Sequence, residues 1–390
     1  MKRLLPRLLL MIGGFLCALV TFGVVIQLFP DLLPSGLRKD PLDQRTPNKE
    51  LRFVFTDYMG DTFYNPPGMV RPPEENRVLE DFILRYDEAG FRLPRMTADH
   101  YPIIALGDSF TEGGQVPWVD VLAESLNIPV RNLGWRGLGT LDEARIMKDY
   151  GHDDADWVLI GYFEGNDLSN IHSSFERMQS DGAILLDLTR DIIEEDRPSE
   201  PVRNPEDRYL YPLRHFIEGQ TYELAYVSDY LWWLNGTEDV FRLSRNLEEF
   251  RSALDEIKNA AGDACVALVY MPSKEHIYFP YSDPAGNRRY VLENGLELGL
   301  DEAGWLSFGP LTPQNNDVLI DRLDNQRNVI REAVLRAGLQ FIDLTPVFEE
   351  SVFTGEPAYY PYDSHWSERG HWLAGEAVAE YISQHRDCPL

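Results

Sequence analysis

Two short stretches near opposite ends of the chain carry the residue types of nucleophilic catalysis. Ser109 follows the apolar run Ile103–Leu106, which predicts a buried strand ending at a sharp turn. His365 lies two residues after Asp363, at the start of a predicted C-terminal helix. A serine hydroxyl is a weak nucleophile that needs an adjacent base, and the base needs an orienting partner. Ser109, His365 and Asp363 are therefore candidates for nucleophile, base and orienting carboxylate.

Simpler interpretations exist for the same residues. Ser109 alone is equally consistent with a helix N-cap. A metal site built on Asp108, Asp363 and His365 is a further alternative, because carboxylate and imidazole groups suit several ions. The sequence contains no His-x-x-x-His pair and no cysteine cluster, and no Gly-x-Gly-x-x-Gly follows the first strand. We therefore expect neither a metal nor a cofactor.

Two more stretches lie between the serine and the histidine: Asn132–Gly137 and Phe163–Leu168. With these, the chain resembles the SGNH (GDSL-type) hydrolase superfamily over about residues 100–175 and 260–385. The four blocks of that superfamily supply Ser, Gly, Asn and His in this order, and here they fall on Ser109, Gly134, Asn166 and His365.

The resemblance implies an oxyanion hole, in which donors face the negative charge that develops on an attacked acyl carbonyl. It assigns this role to the backbone N–H groups of Ser109 and Gly134 and to the side-chain amide of Asn166. Two departures from the pattern stand out. Glu164 occupies the glycine position of the third block, and the last block is Asp-x-His rather than Asp-x-x-His. The shorter spacing, followed by Trp366, is similar to the alginate O-acetyltransferase branch.

From residue 100 onward, strand and helix patterns alternate, as in a parallel sheet with right-handed crossovers. The predicted strands are Ile103–Leu106, Pro129–Leu133, Trp157–Phe163, Cys265–Met271 and Leu339–Leu344. The predicted helices are Val116–Ser125, Leu141–Asp149, Leu247–Ala261, Asp317–Ala337 and Glu368–Gln384. This indicates an α/β, three-layer flavodoxin-like fold, for which the resemblance implies the strand order 2-1-3-4-5.

The N-terminal region predicts a membrane anchor. Residues 8–29 are 22 positions without a charge, and as a helix they would be about 33 Å long, enough to cross a hydrocarbon core of about 30 Å. No Ala-x-Ala site follows, so we expect residues 1–29 to be an uncleaved signal anchor; a cleaved signal peptide is the alternative. The short N-terminal tail favours a domain on the extracytoplasmic, periplasmic side.

The rest of the chain divides into a stalk at 30–50, a β-rich embellishment at 51–99 and the hydrolase-like domain at 100–390. Two inserts interrupt this domain, at about 170–245 and 280–312. The first insert is rich in aromatic residues, which either pack on the sheet or border a cleft; they are Tyr222, Tyr226, Tyr230, Trp232 and Trp233. Of the other histidines, we expect His371 to be structural and His276 to be a minor candidate for lining the cleft.

The net charge of the chain limits which binding partners we expect, and its cysteine content limits which disulfides we expect. The formal net charge of −28 repels nucleic acid phosphates, so we expect no nucleic acid partner. Three cysteines are too few for a disulfide scaffold. Cys17 lies in the apolar run, and Cys265 falls in a predicted buried strand, which favours free thiols at Cys265 and Cys388 over a disulfide between them.

Together these features predict a membrane-anchored serine esterase that forms an acyl-enzyme at Ser109 and acts on O-acyl, in particular O-acetyl, esters of carbohydrate or on a small ester. The alternatives are an O-acyltransferase that modifies an envelope or secreted polysaccharide, with an acyl-donor partner in the membrane, and a catalytically idle glycan-binding export factor. The intact Ser, His and Asp set argues against the idle alternative.

Overall fold

A five-stranded parallel sheet forms the centre of the fold. In chain order the strands are β1 Glu50–Thr56, β2 Val78–Arg85, β3 Ile103–Leu106, β4 Val130–Asn132, β5 Trp157–Phe163, β6 Leu210–Ile217, β7 Gln220–Val227, β8 Cys265–Met271, β9 Glu297–Leu300, β10 Leu306–Gly309 and β11 Gln340–Asp343. The central sheet has the order β4-β3-β5-β8-β11. When its five strands are numbered 1 to 5 along the chain, this order is 2-1-3-4-5, as predicted. Every residue of β3, β5 and β8 is buried, because helices cover both faces of a parallel sheet.

The structure is a computed structural model that describes residues 47–56, 78–152, 154–168, 171, 210–217, 220–227, 230, 234, 236–281, 297–300, 306–309, 320–361 and 363–385. The predicted anchor and almost all of the predicted stalk lie outside these residues. Among the described helices, none combines the length and apolar character needed to span a membrane.

Nine helices are found in the described part of the chain: α1 Ser109–Glu112, α2 Trp118–Leu126, α3 Thr140–Tyr150, α4 Glu238–Leu243, α5 Arg245–Ala260, α6 Lys274–Tyr278, α7 Asp324–Arg336, α8 Thr345–Ser351 and α9 Glu368–Gln384. Helix α2 packs against α9, and α3 packs against α5. Right-handed crossovers place these two pairs on opposite faces of the sheet, which gives the predicted three layers.

Three antiparallel hairpins form separate two-stranded sheets outside the central sheet. Around the predicted β-rich embellishment, β1 pairs with β2. Within the two predicted inserts, β6 pairs with β7 and β9 pairs with β10. Of the five aromatic side chains singled out in the first insert, only that of Tyr230 is described, and its ring packs edge-on against Phe163 with the centroids 5.5 Å apart.

One sequence prediction about the cysteines is wrong. Cys265 is disulfide-bonded rather than a free thiol. It is the first residue of β8 and is 8% exposed, so burial at the end of this strand does not exclude a disulfide. The other two cysteines, Cys17 and Cys388, lie outside the described residues.

Candidate active site

The turn after β3 presents the Ser109 hydroxyl at the carboxyl edge of the sheet, where open α/β sheets bind their ligands. Asp108 is the N-cap of α1, and its Oδ1 accepts a hydrogen bond from the N–H of Phe110 at 2.9 Å. Ser109 is the first helical residue, so its hydroxyl is not needed for capping. The interpretation of Ser109 as only an N-cap is therefore wrong.

The predicted triad comes together. The Oγ of Ser109 lies 2.8 Å from the Nε2 of His365, and the Nδ1 of His365 lies 2.6 Å from the Oδ1 of Asp363. The same Oδ1 accepts a hydrogen bond from the backbone N–H of His365 at 2.7 Å. This double contact is possible because only one residue separates the two, so the Asp-x-His spacing orients the imidazole directly.

The charges of the pair reinforce each other. Burial opposes the charged form of His365, but the charge and hydrogen bond of Asp363 outweigh it and raise the pKa of His365. Burial likewise opposes the Asp363 carboxylate, but His365 outweighs it and lowers the pKa of Asp363. Asp363 is therefore poised to stabilise an imidazolium that forms when His365 takes a proton from Ser109.

The loop after β4 packs closely on the nucleophile turn. A Cβ on Gly134 would lie 2.6 Å from the N of Glu112, so a glycine is required here by the close approach of the two backbones. The N–H of Gly134 donates to the Oδ1 of Asn132 at 2.9 Å, and the Nδ2 of Asn132 donates to the carbonyl of Thr111 at 2.8 Å. Because the N–H of Gly134 already has a partner, this arrangement does not support its predicted role as an oxyanion donor; the physical reason for the glycine is packing.

The turn after β5 carries Asn166, which is partly exposed beside the fully buried Glu164. Strands β3 and β5 are neighbours and parallel, so Ser109 and Asn166 both follow the carboxyl edge of the sheet. The N–H of Ser109 lies in the first turn of α1, where it has no intrahelical carbonyl partner, and it contacts the Asp108 carboxylate. These two donors remain predictions for the oxyanion hole.

Comparison with known proteins identifies the family. A family profile described as the GDSL-like lipase/acylhydrolase family matches residues 105–373, which is more than half of the 390-residue chain. The chain belongs to this family. It is therefore a serine hydrolase of ester bonds. Its resemblance to the alginate O-acetyltransferase branch is not confirmed by these comparisons, and no curated protein matches the sequence.

Solved structures that match the chain at low identity include lipases and an esterase. A phospholipase A1 from Streptomyces albidoflavus is 13% identical with a TM-score of 0.38, and the match covers 72% of this chain and 97% of that one. An extracellular lipase from Streptomyces rimosus is 14% identical with a TM-score of 0.36, covering 70% and 98%. A catalytic mutant of an acetylxylan esterase from Geobacillus stearothermophilus is 14% identical with a TM-score of 0.34, covering 72% and 93%. Likenesses this distant carry no argument about substrate.

In this GDSL-family chain, the glutamate that departs from the family pattern has its own partners. Glu164 accepts hydrogen bonds from the hydroxyl of Tyr270 at 2.6 Å and from the N–H of Ser273 at 2.9 Å, and it lies 2.7 Å from the Nδ1 of His276. Burial opposes the charged form of His276, but Glu164 and Asp324 outweigh it and raise its pKa to about 9. His276 is thus a buried cation that holds the turn containing Asn166 to the end of β8, and the prediction that it lines the cleft is not supported.

The segment that follows β2 contacts helix α1, which begins at Ser109, in this GDSL-family chain. Glu112, the last residue of α1, accepts from the Tyr86 hydroxyl at 3.0 Å and from the Arg136 Nε at 2.7 Å. The Nη1 of Arg92 donates to the carbonyls of Glu112 at 2.8 Å and of Gly114 at 2.6 Å. In the sequence, the only indication of these contacts with α1 is the aromatic and charged residues that precede the serine block.

Three other histidines, His371, His100 and His152, lie outside the triad of this GDSL-family site. His371 is buried on α9, within 3.3 Å of the N of Trp118, and burial lowers its pKa to about 3, as expected for a structural residue. In the described part of the chain, the group with the geometry to hold a metal is His100, His152 and Asp154, which precede β3 and β5 at the opposite edge of the sheet. The alternative metal site on Asp108, Asp363 and His365 is not among such groups.

Proposed function

We propose that this GDSL-family protein is a membrane-anchored, extracytoplasmic serine esterase that removes O-acyl groups, in particular O-acetyl groups, from carbohydrate. The observation that carries the catalytic half of this proposal is the continuous chain from the Ser109 hydroxyl through His365 to Asp363, with contacts of 2.8 Å and 2.6 Å. A nucleophile within hydrogen-bond reach of a base, which is itself held by a carboxylate, fits acyl transfer to serine.

The chemistry follows from these contacts. The Oγ of Ser109 forms a bond to the acyl carbon while its proton passes to the Nε2 of His365. The ester C–O bond then breaks, and the imidazolium returns that proton to the departing sugar oxygen. In the second half water attacks the acyl carbon and gives a proton to His365. The bond from that carbon to the Oγ of Ser109 then breaks, the imidazolium returns the proton to Oγ, and the free acid leaves. Donors aimed at the carbonyl oxygen, the N–H of Ser109 and the amide of Asn166, would stabilise both tetrahedral intermediates.

The proposed location rests on two features outside the triad. The 22 uncharged residues 8–29 are long enough to span a bilayer as a helix. The disulfide at Cys265 fits an oxidising compartment, since structural disulfides persist outside the cytoplasm. Both features support an anchored domain that faces away from the cytosol.

Carbohydrate is the proposed substrate class because an anchored outward-facing esterase meets envelope or secreted glycans, and because the Asp-x-His-Trp ending resembles enzymes of polysaccharide O-acetylation. If a sugar hydroxyl rather than water resolves the acyl-serine, the same site is an O-acyltransferase. An outward-facing transferase could not reach cytosolic acyl-coenzyme A and would need an acyl-donor partner in the membrane.

One set of measurements separates these possibilities. The full chain, purified in detergent, is assayed with an activated acetyl ester, with and without sugar acceptors. We expect acetate release without an acceptor; acetyl transfer to an added sugar would instead identify a transferase. Deletion of the gene should raise the O-acyl content of an envelope or secreted glycan for an esterase and lower it for a transferase. A fusion reporter after Leu390 that signals from the cytoplasm would contradict the location.

A further inference from the structure

A buried lysine outside the triad lies against the loop that carries Asp363 and His365. Lys274 is the first residue of α6, directly after β8, and it is 0% exposed. Its Nζ donates to three backbone carbonyls of that loop, those of Tyr360 at 3.0 Å, Pro361 at 3.2 Å and Asp363 at 2.7 Å. An ammonium group has three donors, so all of them are used here.

The loop needs such a partner because it is irregular where it bears the catalytic residues. A β-bridge joins Tyr359 to Trp366, and the N–H of Tyr360 donates to the carbonyl of His365 at 3.0 Å. Between these ends the chain reverses, and its inward-facing carbonyls require donors, since buried backbone groups are costly when unpaired. Lys274 donates to carbonyls of residues that precede Asp363 and to the carbonyl of Asp363 itself.

We propose that Lys274 is a positioning residue, whose ammonium fixes the backbone around Asp363 and so keeps His365 within reach of Ser109. The inference rests on the proposed function of the Ser109 site and extends it to a residue that touches neither substrate nor nucleophile. Its position on α6 links the end of β8, a strand of the rigid sheet, to the irregular loop.

Two physical considerations favour positioning over stability alone. Burying a charge is costly, and apolar replacements of buried ions are often as stable, so a buried lysine is a poor device for stability. Catalytic groups, by contrast, must be held closely, because a displacement of about 1 Å can cost about 10²-fold in rate. Three carbonyls converging on one cation fix the loop backbone in a single arrangement.

The test compares Lys274→Met with Lys258→Met in the full chain. Lys258 is the matched control, because its Nζ donates to a single carbonyl, that of Ala337 at 2.6 Å, at an exposed site. The kcat and KM for an activated acetyl ester are measured per folded protein, with the folded fraction taken from circular dichroism. We expect Lys274→Met to lower kcat by about 10²-fold while KM changes by less than about threefold, and Lys258→Met to leave both unchanged.

Each outcome decides the inference. If Lys274→Met reduces only the folded fraction, with kcat per folded molecule preserved, Lys274 is merely structural and the proposal is overturned. Ser109→Ala is run in parallel. Activity that survives Ser109→Ala would contradict the serine site itself, whereas loss in Ser109→Ala with full kcat in Lys274→Met would contradict only the role of Lys274.

A measurement on the unmutated protein covers the case in which Lys274→Met does not fold. Burial lowers the pKa of Lys274 to about 8, although the facing charges of Glu275 and Asp363 favour its ammonium form. Above that pH the group loses a donor, so one carbonyl contact is lost. With ¹³C-labelled lysine, the deprotonation of Lys274 is followed directly, and kcat should decline in step with it. A kcat that stays constant through this titration would overturn the proposal.

Discussion

The two halves of the proposed catalytic site are held in different ways. On the nucleophile side, Ser109 is the first residue of α1, just after the buried strand β3, and its carbonyl accepts a hydrogen bond from the N–H of Gly113 at 2.9 Å. On the base side, His365 and Asp363 lie on an irregular loop between α8 and α9, where side chains from other elements make the key contacts. The nucleophile is thus placed by local structure and the base by tertiary structure.

This difference has a consequence for substitutions. On the nucleophile side, a change that spares the serine leaves the strand and turn to position it. On the base side, loss of one buried polar partner can displace both Asp363 and His365, because the loop lacks a regular ladder of its own. Substitutions in the two halves should therefore differ in which kinetic parameter they alter and by how much.

The largest effect is expected from Ser109→Ala, which removes the nucleophile. Loss of a triad serine lowers kcat by about 10⁶-fold in a related mechanism. The matched control is Ser351→Ala, because the buried Ser351 hydroxyl lies outside the triad and donates to the carbonyl of Phe348. Ester turnover and labelling by a fluorophosphonate probe measure the outcome. Turnover within about tenfold of the parent would exclude Ser109 as the nucleophile.

The next largest effect is expected from Asp363→Asn, on the base side. It keeps the size of the side chain but removes the charge that orients His365, and loss of the triad aspartate costs about 10⁴-fold in kcat in the template enzyme. Asp343→Asn is the control, because Asp343 also accepts from an N–H two residues on, that of Thr345, but lies at the end of β11.

Asp363→Asn should also change the pH dependence. His365 acts as a base only when neutral, so kcat/KM rises with pH through the pKa of His365. That pKa is raised chiefly by Asp363, with Asp108 raising it and Arg136 lowering it, against the effect of burial. Removing the Asp363 charge lowers this pKa, so the acidic limb moves to lower pH. A limb that stays in place would mean that Asp363 does not set the titration of His365.

A smaller loss of kcat is expected from Asn166→Ala. This substitution tests the side-chain amide that follows β5 as an oxyanion donor. Removal of an oxyanion donor lowers kcat by about 10²–10³-fold with a smaller effect on KM, because the contact strengthens as charge develops. Asn325→Ala is the control, since its amide, on α7, donates to the carbonyl of Gly236 just before α4. An unchanged kcat in Asn166→Ala would show that Glu164 holds this turn away from the reacting carbonyl.

The sequence predicted the parts of the site that local patterns determine. The apolar runs gave β5 and β8 with their correct bounds. The sequence motifs named Ser109, His365 and Asp363, whose side chains lie within hydrogen-bond distance of one another in the structure. Long-range partners could not be predicted in this way. The contact of Lys274 with the loop 86 to 89 residues later depends on tertiary packing, and the hydrogen bond that occupies the N–H of Gly134 depends on how Asn132 turns. The prediction of a free thiol at Cys265 was wrong, because burial in a strand does not indicate what lies beyond the end of that strand.

The smallest catalytic effect is expected from Tyr86→Phe, which separates stability from catalysis on the nucleophile side. The Tyr86 hydroxyl donates to the buried Glu112 at 3.0 Å, and hydrogen bonds to charged groups contribute about 1.5–3 kcal/mol. Glu112 keeps its contact with Arg136 at 2.7 Å, so α1 should stay in place and kcat should be unchanged. We therefore expect a lower free energy of unfolding in urea without a change in kcat per folded molecule.

The control for Tyr86→Phe is Tyr381→Phe, whose hydroxyl donates at 2.9 Å to the neutral side chain of Gln340. A hydrogen bond between neutral groups contributes about 0.5–1.5 kcal/mol, so this variant should lose less stability. If Tyr86→Phe instead lowers kcat, the segment after hairpin β1–β2 positions Ser109 as Lys274 is proposed to position His365. Both halves of the site would then depend on tertiary contacts, and the strand-and-turn geometry at Ser109 would not be sufficient to place the nucleophile.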